Sequence, residues 1–307
     1  MATARGFRSI LVPLDGHTFA EQALPVGRSL ARRSGATLHL VTVQPPFNPL
    51  VFASDVAATA EQIQEDTARA MRAYVDGAAA TARCDELTVE SALLHGPPVD
   101  RLAAYVRDRQ IDLVVMTTHG RSGLSRLWLG SVADRLLRRL EIPVLLLRPR
   151  EGPQPTEYGR ILAAVGERAE LEVVEPALTL GAAAGTTSYL LAHVVEPQAV
   201  IAAPPEPVYL PQLGPEWIEA RRAVALGYLA PLAQRLSEHG LTADTRIVVG
   251  GPVAAELLEL ARTEGADAIA MGTHGRRGFD RFVLGSVADK VVRGSAIPVL
   301  VTPVLTD

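Results

Sequence analysis

Cysteine is almost absent from this sequence: Cys84 is the single one among 307 residues. One thiol cannot close an internal disulfide or build a thiolate metal cluster, and its isolation fits a reducing compartment. Also missing is any apolar run near the roughly 18 residues needed to cross a bilayer. The runs that exist, such as Val144 to Leu147, are strand-sized. Met1 to Arg8 carries no signal-peptide core ahead of Ser9-Ile-Leu-Val12. These shortages lead us to expect a cytoplasmic protein with no membrane partner. A basic excess is lacking too: 30 Lys and Arg against 34 Asp and Glu leave a net charge of −4, which offers nucleic acid no electrostatic footprint. With 48% hydrophobic and 21% charged residues, the composition is that of a globular chain, long enough for two domains of about 150 residues each.

What the chain does contain is itself, twice. Asp112-Leu-Val-Val-Met-Thr-Thr-His-Gly-Arg-Ser-Gly returns as Asp267-Ala-Ile-Ala-Met-Gly-Thr-His-Gly-Arg-Arg-Gly, at an offset of 155 residues. Leu129-Gly-Ser-Val-Ala-Asp134 reappears as Leu284-Gly-Ser-Val-Ala-Asp289, and Ile142-Pro-Val-Leu145 as Ile297-Pro-Val-Leu300. The openings agree more weakly, Ser9-Ile-Leu-Val-Pro-Leu-Asp15 against Arg160-Ile-Leu-Ala-Ala-Val-Gly166. Between the copies, Arg148 to Tyr158 is rich in Pro and polar residues and reads as a linker. The expected domains are residues 1–150 and 156–307.

Each copy alternates short apolar, β-branched runs with longer helix-patterned stretches. In the first copy the spacing predicts strands at Ile10–Leu14, Thr37–Val43, Thr88–Leu94, Leu113–Thr117 and Val144–Leu147. Helices are predicted over Glu21–Arg33, Glu61–Arg83 and Val99–Arg109. Apolar strands separated by helices imply a parallel sheet covered on both faces, so the fold class is α/β with two tandem doubly wound domains. Two long Pro-rich connections follow the second strand of each copy, Gln44 to Ser54 and Glu196 to Pro215. Connections of this length are either functional or simple covering flaps.

The most informative stretch is Met271-Gly-Thr-His-Gly-Arg-Arg-Gly-Phe-Asp-Arg-Phe-Val-Leu-Gly-Ser286. A buried-type strand precedes it and a helix with Val287, Val291 and Val292 follows. A glycine loop from a strand's carboxyl end to a helix's amino end lies where open α/β sheets bind ligands. Glycine lets backbone N–H groups approach an anion, and the helix start adds unpaired donors and a positive dipole end. Ser286 can donate to a phosphate oxygen or cap the helix, and Arg276 and Arg277 can supply counter-charge. The spacing is neither a P-loop nor the dinucleotide fingerprint, and taken alone the loop reads equally well as a plain turn.

At these residues the chain resembles the universal stress proteins. Members of that family that bind ATP carry Gly, two residues, Gly, nine residues, then Gly followed by Ser or Thr. The second copy matches throughout at Gly272, Gly275, Gly285 and Ser286; the first reads Thr117, Gly120, Gly130 and Ser131. The resemblance also implies an Asp at the end of the first strand facing the adenosine, kept as Asp15 and replaced by Gly166, with Glu167 next, in the second copy. It implies that backbone at Val43 and Val194 meets adenine, and that the fold is Rossmann-like and adenine nucleotide α-hydrolase-like. The last strands, Val144–Leu147 and Val299–Thr302, are expected to join the copies as an internal pseudo-dimer, and two chains to associate further. The implied ligand is ATP or its relatives ADP and AMP, with Mg2+ on the phosphates.

Other residues carry weaker signals. His119 and His274 in the loops lack further metal ligands at a recognisable spacing and read as loop-structuring. His17 reads as a helix-entry residue. Ser131 or Ser286 as a nucleophile would need a base and an orienting acid, and no Gly-x-Ser-x-Gly elbow is present. Asp134 and Asp289 suit the positive ends of their helices, and Trp128 and Phe282 read as packing. The expected function is therefore a stress-response protein with regulatory nucleotide binding and at most slow hydrolysis. The rivals are an interaction module that binds no nucleotide, and an enzyme related to adenine-nucleotide-cleaving α/β proteins. The latter carry His-x-Gly-His or Ser-Gly-Gly-x-Asp-Ser after the first strand, where this chain has Asp15-Gly-His-Thr18 and Gly166-Glu-Arg-Ala169.

Overall fold

The structure is a computed structural model that describes residues 6–46, 57–118, 129–166, 170–196, 215–273 and 284–304. The first half contains β1 (Ser9–Leu14), α1 (Thr18–Glu21), α2 (Ala23–Ser34), β2 (Thr37–Gln44), α3 (Ala57–Ala82), β3 (Val89–His95), α4 (Pro98–Asp108), β4 (Leu113–Thr117), α5 (Ser131–Arg139) and β5 (Val144–Leu147). The second contains β6 (Arg160–Ala164), α6 (Glu170–Ala184), β7 (Ser188–Val195), α7 (Pro215–Glu238), β8 (Thr242–Val249), α8 (Val253–Thr263), β9 (Ala268–Gly272), α9 (Ser286–Gly294) and β10 (Val299–Thr302).

The ten strands of the described residues form one sheet in the order β3-β2-β1-β4-β5-β10-β9-β6-β7-β8. Among the described strands, pairing is parallel within each half and antiparallel at the joint, where Leu145 opposes Leu300. The strands that the resemblance singled out for joining the copies thus lie side by side. Because β5 and β10 run in opposite directions, the strands of the two halves point oppositely, and their carboxyl ends emerge at opposite rims of the sheet.

Alternation decides which face each strand residue serves. In β1, Ile10, Val12 and Leu14 pack under α2 and α3, while Leu11 joins the cluster under α4 and α5. The central strands are buried on both faces, which is why they read as unbroken apolar runs. Helix α2 stops where Gly35 takes a left-handed φ of 67°, returning its N–H to the helix carbonyls. The single helix expected over Glu21–Arg33 is divided at Gln22. Pro25 has no N–H to give to Glu21, so a new first turn begins there.

Candidate functional site

In the first half the chain leaves β1 toward β2 on one side, whereas β4 lies on the other. The crevice at the carboxyl ends of β1 and β4 is therefore a topological switch point. The second half repeats it between β6 and β9. Ile10 pairs with Leu113 and Ile161 with Ala268, so counting along β1 and β6 puts Gly166 where Asp15 stands. One rim collects Asp15, Val43, Thr117, Gly130 and Ser131; the opposite rim collects Gly166, Val194, Gly272, Gly285 and Ser286. The acid kept by one copy and the first glycine kept by the other cannot build a shared site, because the antiparallel joint turns the two crevices away from each other.

At the first rim, the half-buried Asp15 accepts the His17 amide through Oδ1 at 3.0 Å, across a turn whose Gly16 has a φ of 82°. His17 is the N-cap residue of α1. One turn on, Glu21 accepts the Tyr74 hydroxyl at 2.9 Å, tying α3 to this entry turn. Burial, then the bond to Glu21, pushes the Tyr74 hydroxyl well above its usual range, so it stays a donor. At the second rim Gly166 supplies no carboxylate.

The ends of both glycine loops are clamped in the same way. The Gly130 N–H donates to the Thr118 carbonyl at 2.6 Å, and the Gly285 N–H to the Thr273 carbonyl at 2.8 Å. These glycines are also the N-caps of α5 and α9, with φ and ψ of −58° and 144°, and −58° and 148°. Neither helix has a side-chain cap bond. The first intrahelical bonds run from Asp134 to the Gly130 carbonyl and from Asp289 to the Gly285 carbonyl, each 2.9 Å. The N–H groups of residues 131–133 and 286–288 thus precede the helical ladder, and the exposed Ser131 and Ser286 do no capping. Of the two uses open to Ser286 from sequence, capping is not the one adopted. Asp134 and Asp289 pair with Arg138 and Arg293 one turn on, at 3.0 and 2.9 Å, which is a structural use.

Where the resemblance places adenine, Val43 is half-buried and Val194 buried. The residue before each closes the gap between the first two strands of its half. Thr42 donates its hydroxyl to the Leu14 carbonyl at 2.6 Å. His193 lies 2.8 Å from the Val165 carbonyl through Nδ1, so that nitrogen carries the proton. The His193 ring stands edge-on to Tyr228, with centroids 5.5 Å apart. Neither residue stood out in the sequence; aligning the copies at the opening strands, which pairs Thr42 with His193, was the available signal. Gly120 and Gly275, His119 and His274, Arg276 and Arg277, Trp128, Phe282, Glu167 and most of both Pro-rich connections lie outside the described residues. Among the described residues no three His, Cys, Asp or Glu side chains converge on a metal-sized site, and no helix is long and apolar enough to cross a membrane.

Two switch-point crevices, one in each parallel-stranded half of the sheet and each with a glycine-capped helix, define a doubly wound α/β class. The universal stress protein family model matches residues 6–148 and again 157–303. The chain belongs to that family. A universal stress protein of Mycobacterium tuberculosis is 29% identical over 323 residues, covering 97% of this chain and 96% of the relative. Another, from Methanocaldococcus jannaschii, is 25% identical over 144 residues, covering 46% of this chain and 82% of its own length. The crystal structure of a universal stress protein from Archaeoglobus fulgidus superposes with a TM-score of 0.65 at 17% identity, covering 97% of both chains, and so shares the fold.

Proposed function

We propose that the chain is a two-domain regulatory protein, with domains 1–150 and 156–307, whose second domain binds ATP or a related adenine nucleotide. The observation that carries this reading is the start of α9. Its N–H groups at residues 286–288 precede the ladder, Ser286 is exposed and uncommitted to capping, and Gly285 is held beside the end of β9 by its bond to Thr273. Such a terminus suits phosphate. Gly272 adds no side chain at the strand end, so a sugar can lie close to backbone. Mg2+, if it accompanied the nucleotide, would neutralise phosphate charge, while Ser286 and the donors at the start of α9 would orient the phosphate oxygens.

The first domain is the weaker site in this reading, because the buried Thr117 stands where the second domain has glycine. That observation, together with the missing acid at Gly166, also favours the alternative of an interaction module without nucleotide. The deciding experiment denatures the purified protein to release bound nucleotide, then titrates the stripped chain with ATP by calorimetry. Micromolar binding that is lost in Gly275→Val and kept in Gly120→Val supports the reading. No released nucleotide and no heat at millimolar ATP leaves the interaction module.

A further inference from the structure

We propose that the outer face of α7 pairs with the same face of a second copy of this chain, forming a weak two-fold dimer. The inner face of α7 is buried through Ala225, Leu229, Leu232 and Leu236. Its outer face is apolar as well: Ala220, Ala223, Val224, Leu226, Gly227 and Ala230 are all exposed, Val224 by 53% and Leu226 by 47%. No charged residue occurs from Ala223 to Gln234. A helix that is apolar all round is normally one that is covered on both sides.

The first half supplies the comparison. Counting from Tyr74 and Tyr228, which both border the same core cluster, Asp66, Arg69, Arg72 and Asp76 of α3 stand where α7 has Ala220, Ala223, Leu226 and Ala230. In α3 they form ion pairs, Arg69 with Asp66 at 3.0 Å and Arg72 with Asp76 at 2.8 Å, as suits a helix side that meets water. The duplicate lacks all four charges and keeps the apolar inner side. A second copy fits this face because a two-fold interface must be complementary to itself. Gly227 lies at its middle, with Ala223 three residues before and Ala230 three after. A Cβ on Gly227 would meet nothing within 4 Å, so packing inside the chain does not call for glycine there, whereas a second helix crossing closely does. A face without charge offers a foreign partner no ionic selection, and a net charge of −4 puts little repulsion between two copies. The strands that join the halves are already taken, since β5 pairs with β10. Area sets the strength. A helix of 24 residues is about 36 Å long and about 10 Å across, so the pair buries at most roughly 700 Å², below the about 1,200 Å² of a stable complex. The dimer is therefore reversible, with a dissociation constant on the order of 100 µM.

Sedimentation equilibrium of the full chain from about 10 µM to about 1 mM reads this directly. The parent is expected to be mostly dimeric at the upper end. Ala223→Arg with Leu226→Arg, which copies Arg69 and Arg72 of α3, is expected to stay monomeric with an unchanged thermal midpoint, since both positions face water. Gly227→Cys in a Cys84→Ser background is expected to form a disulfide dimer on mild oxidation, because a two-fold crossing at residue 227 brings the two thiols together. Ala73→Cys, at the matching exposed place on α3, is the control and stays single. A parent that remains monomeric at about 1 mM overturns the proposal. So does a dimer that persists in the double arginine variant, or one in which Gly227→Cys crosslinks no better than Ala73→Cys. No nucleotide enters these measurements, so the proposal stands or falls independently of the nucleotide reading.

Discussion

Replacing Ser286 by alanine separates the two uses of this serine. Gly285 is the N-cap of α9, and Ser286 is the first helical residue, exposed and without a cap bond. A true capping serine costs about 1 kcal/mol when removed, a loss of roughly 2–4 °C in a chain of this size. Without that bond the change should stay within about 0.5 kcal/mol, as for ordinary surface substitutions. Binding is a different matter. A hydrogen bond to a charged phosphate oxygen contributes about 1.5–3 kcal/mol, so ATP affinity should fall roughly tenfold to a hundredfold. Thermal melting of the stripped protein and calorimetric titration of the same sample read the two effects independently. A midpoint lowered by the capping amount, with ATP affinity intact, would refute the reasoning. Ser131→Ala is the internal control and should leave the second site untouched.

Three further outcomes follow from packing and charge. A Cβ on Gly181 would stand 1.9 Å from the Tyr189 hydroxyl and 2.9 Å from its Cζ, so Gly181→Ala should cost about 1–3 kcal/mol despite alanine's better helix propensity. Adding Tyr189→Leu, the residue type at the matching Leu38, should recover most of that loss in a urea double-mutant cycle. Leu300→Ala at the joint, fully buried opposite Leu145, should cost about 2–5 kcal/mol, read from the urea midpoint. His39 is buried against Tyr105 at 3.1 Å, with Glu90 at 3.6 Å from the ring and Arg109 stacked 5.7 Å over Tyr105. Burial holds its pKa below the usual histidine value, outweighing the pull of Glu90. Its stability contribution is therefore complete above the unfolded value of about 6.5 and lost as pH falls through the lowered folded value, by at most about 1.4 kcal/mol per pH unit. Comparing urea midpoints at about pH 7.5 and 5.5 should show that His39→Leu, matching Leu190, flattens this dependence; an unchanged slope would dismiss His39 as its source.

Much of the fold was legible because it is written in local periodicity. The strands Leu113–Thr117 and Val144–Leu147 are found with the expected limits, and the others within a residue or so at each end, since a strand buried on both faces needs an unbroken apolar run. The glycine caps were not read as caps: the sequence offered Ser286 for that role, and the structure gives it to Gly285, with Gly130 in the matching place of the first copy. The division at Gln22 was missed because the apolar spacing continues across it, and only the missing N–H of Pro25 signals the break. Thr42, His193 and Tyr74 were missed because their partners are about 28 to 53 residues away.

The sequence by itself determined the duplication, the α/β alternation and the placing of a glycine-ended loop between strand and helix in each copy. The last two depend on residues within one or two turns of each other, and the duplication on matching runs 155 residues apart. Only the tertiary structure decided that the crevices face opposite rims, because one antiparallel pairing of β5 with β10 sets the direction of every other strand in the sheet. The same pairing denies the two incomplete sites any chance to complement one another.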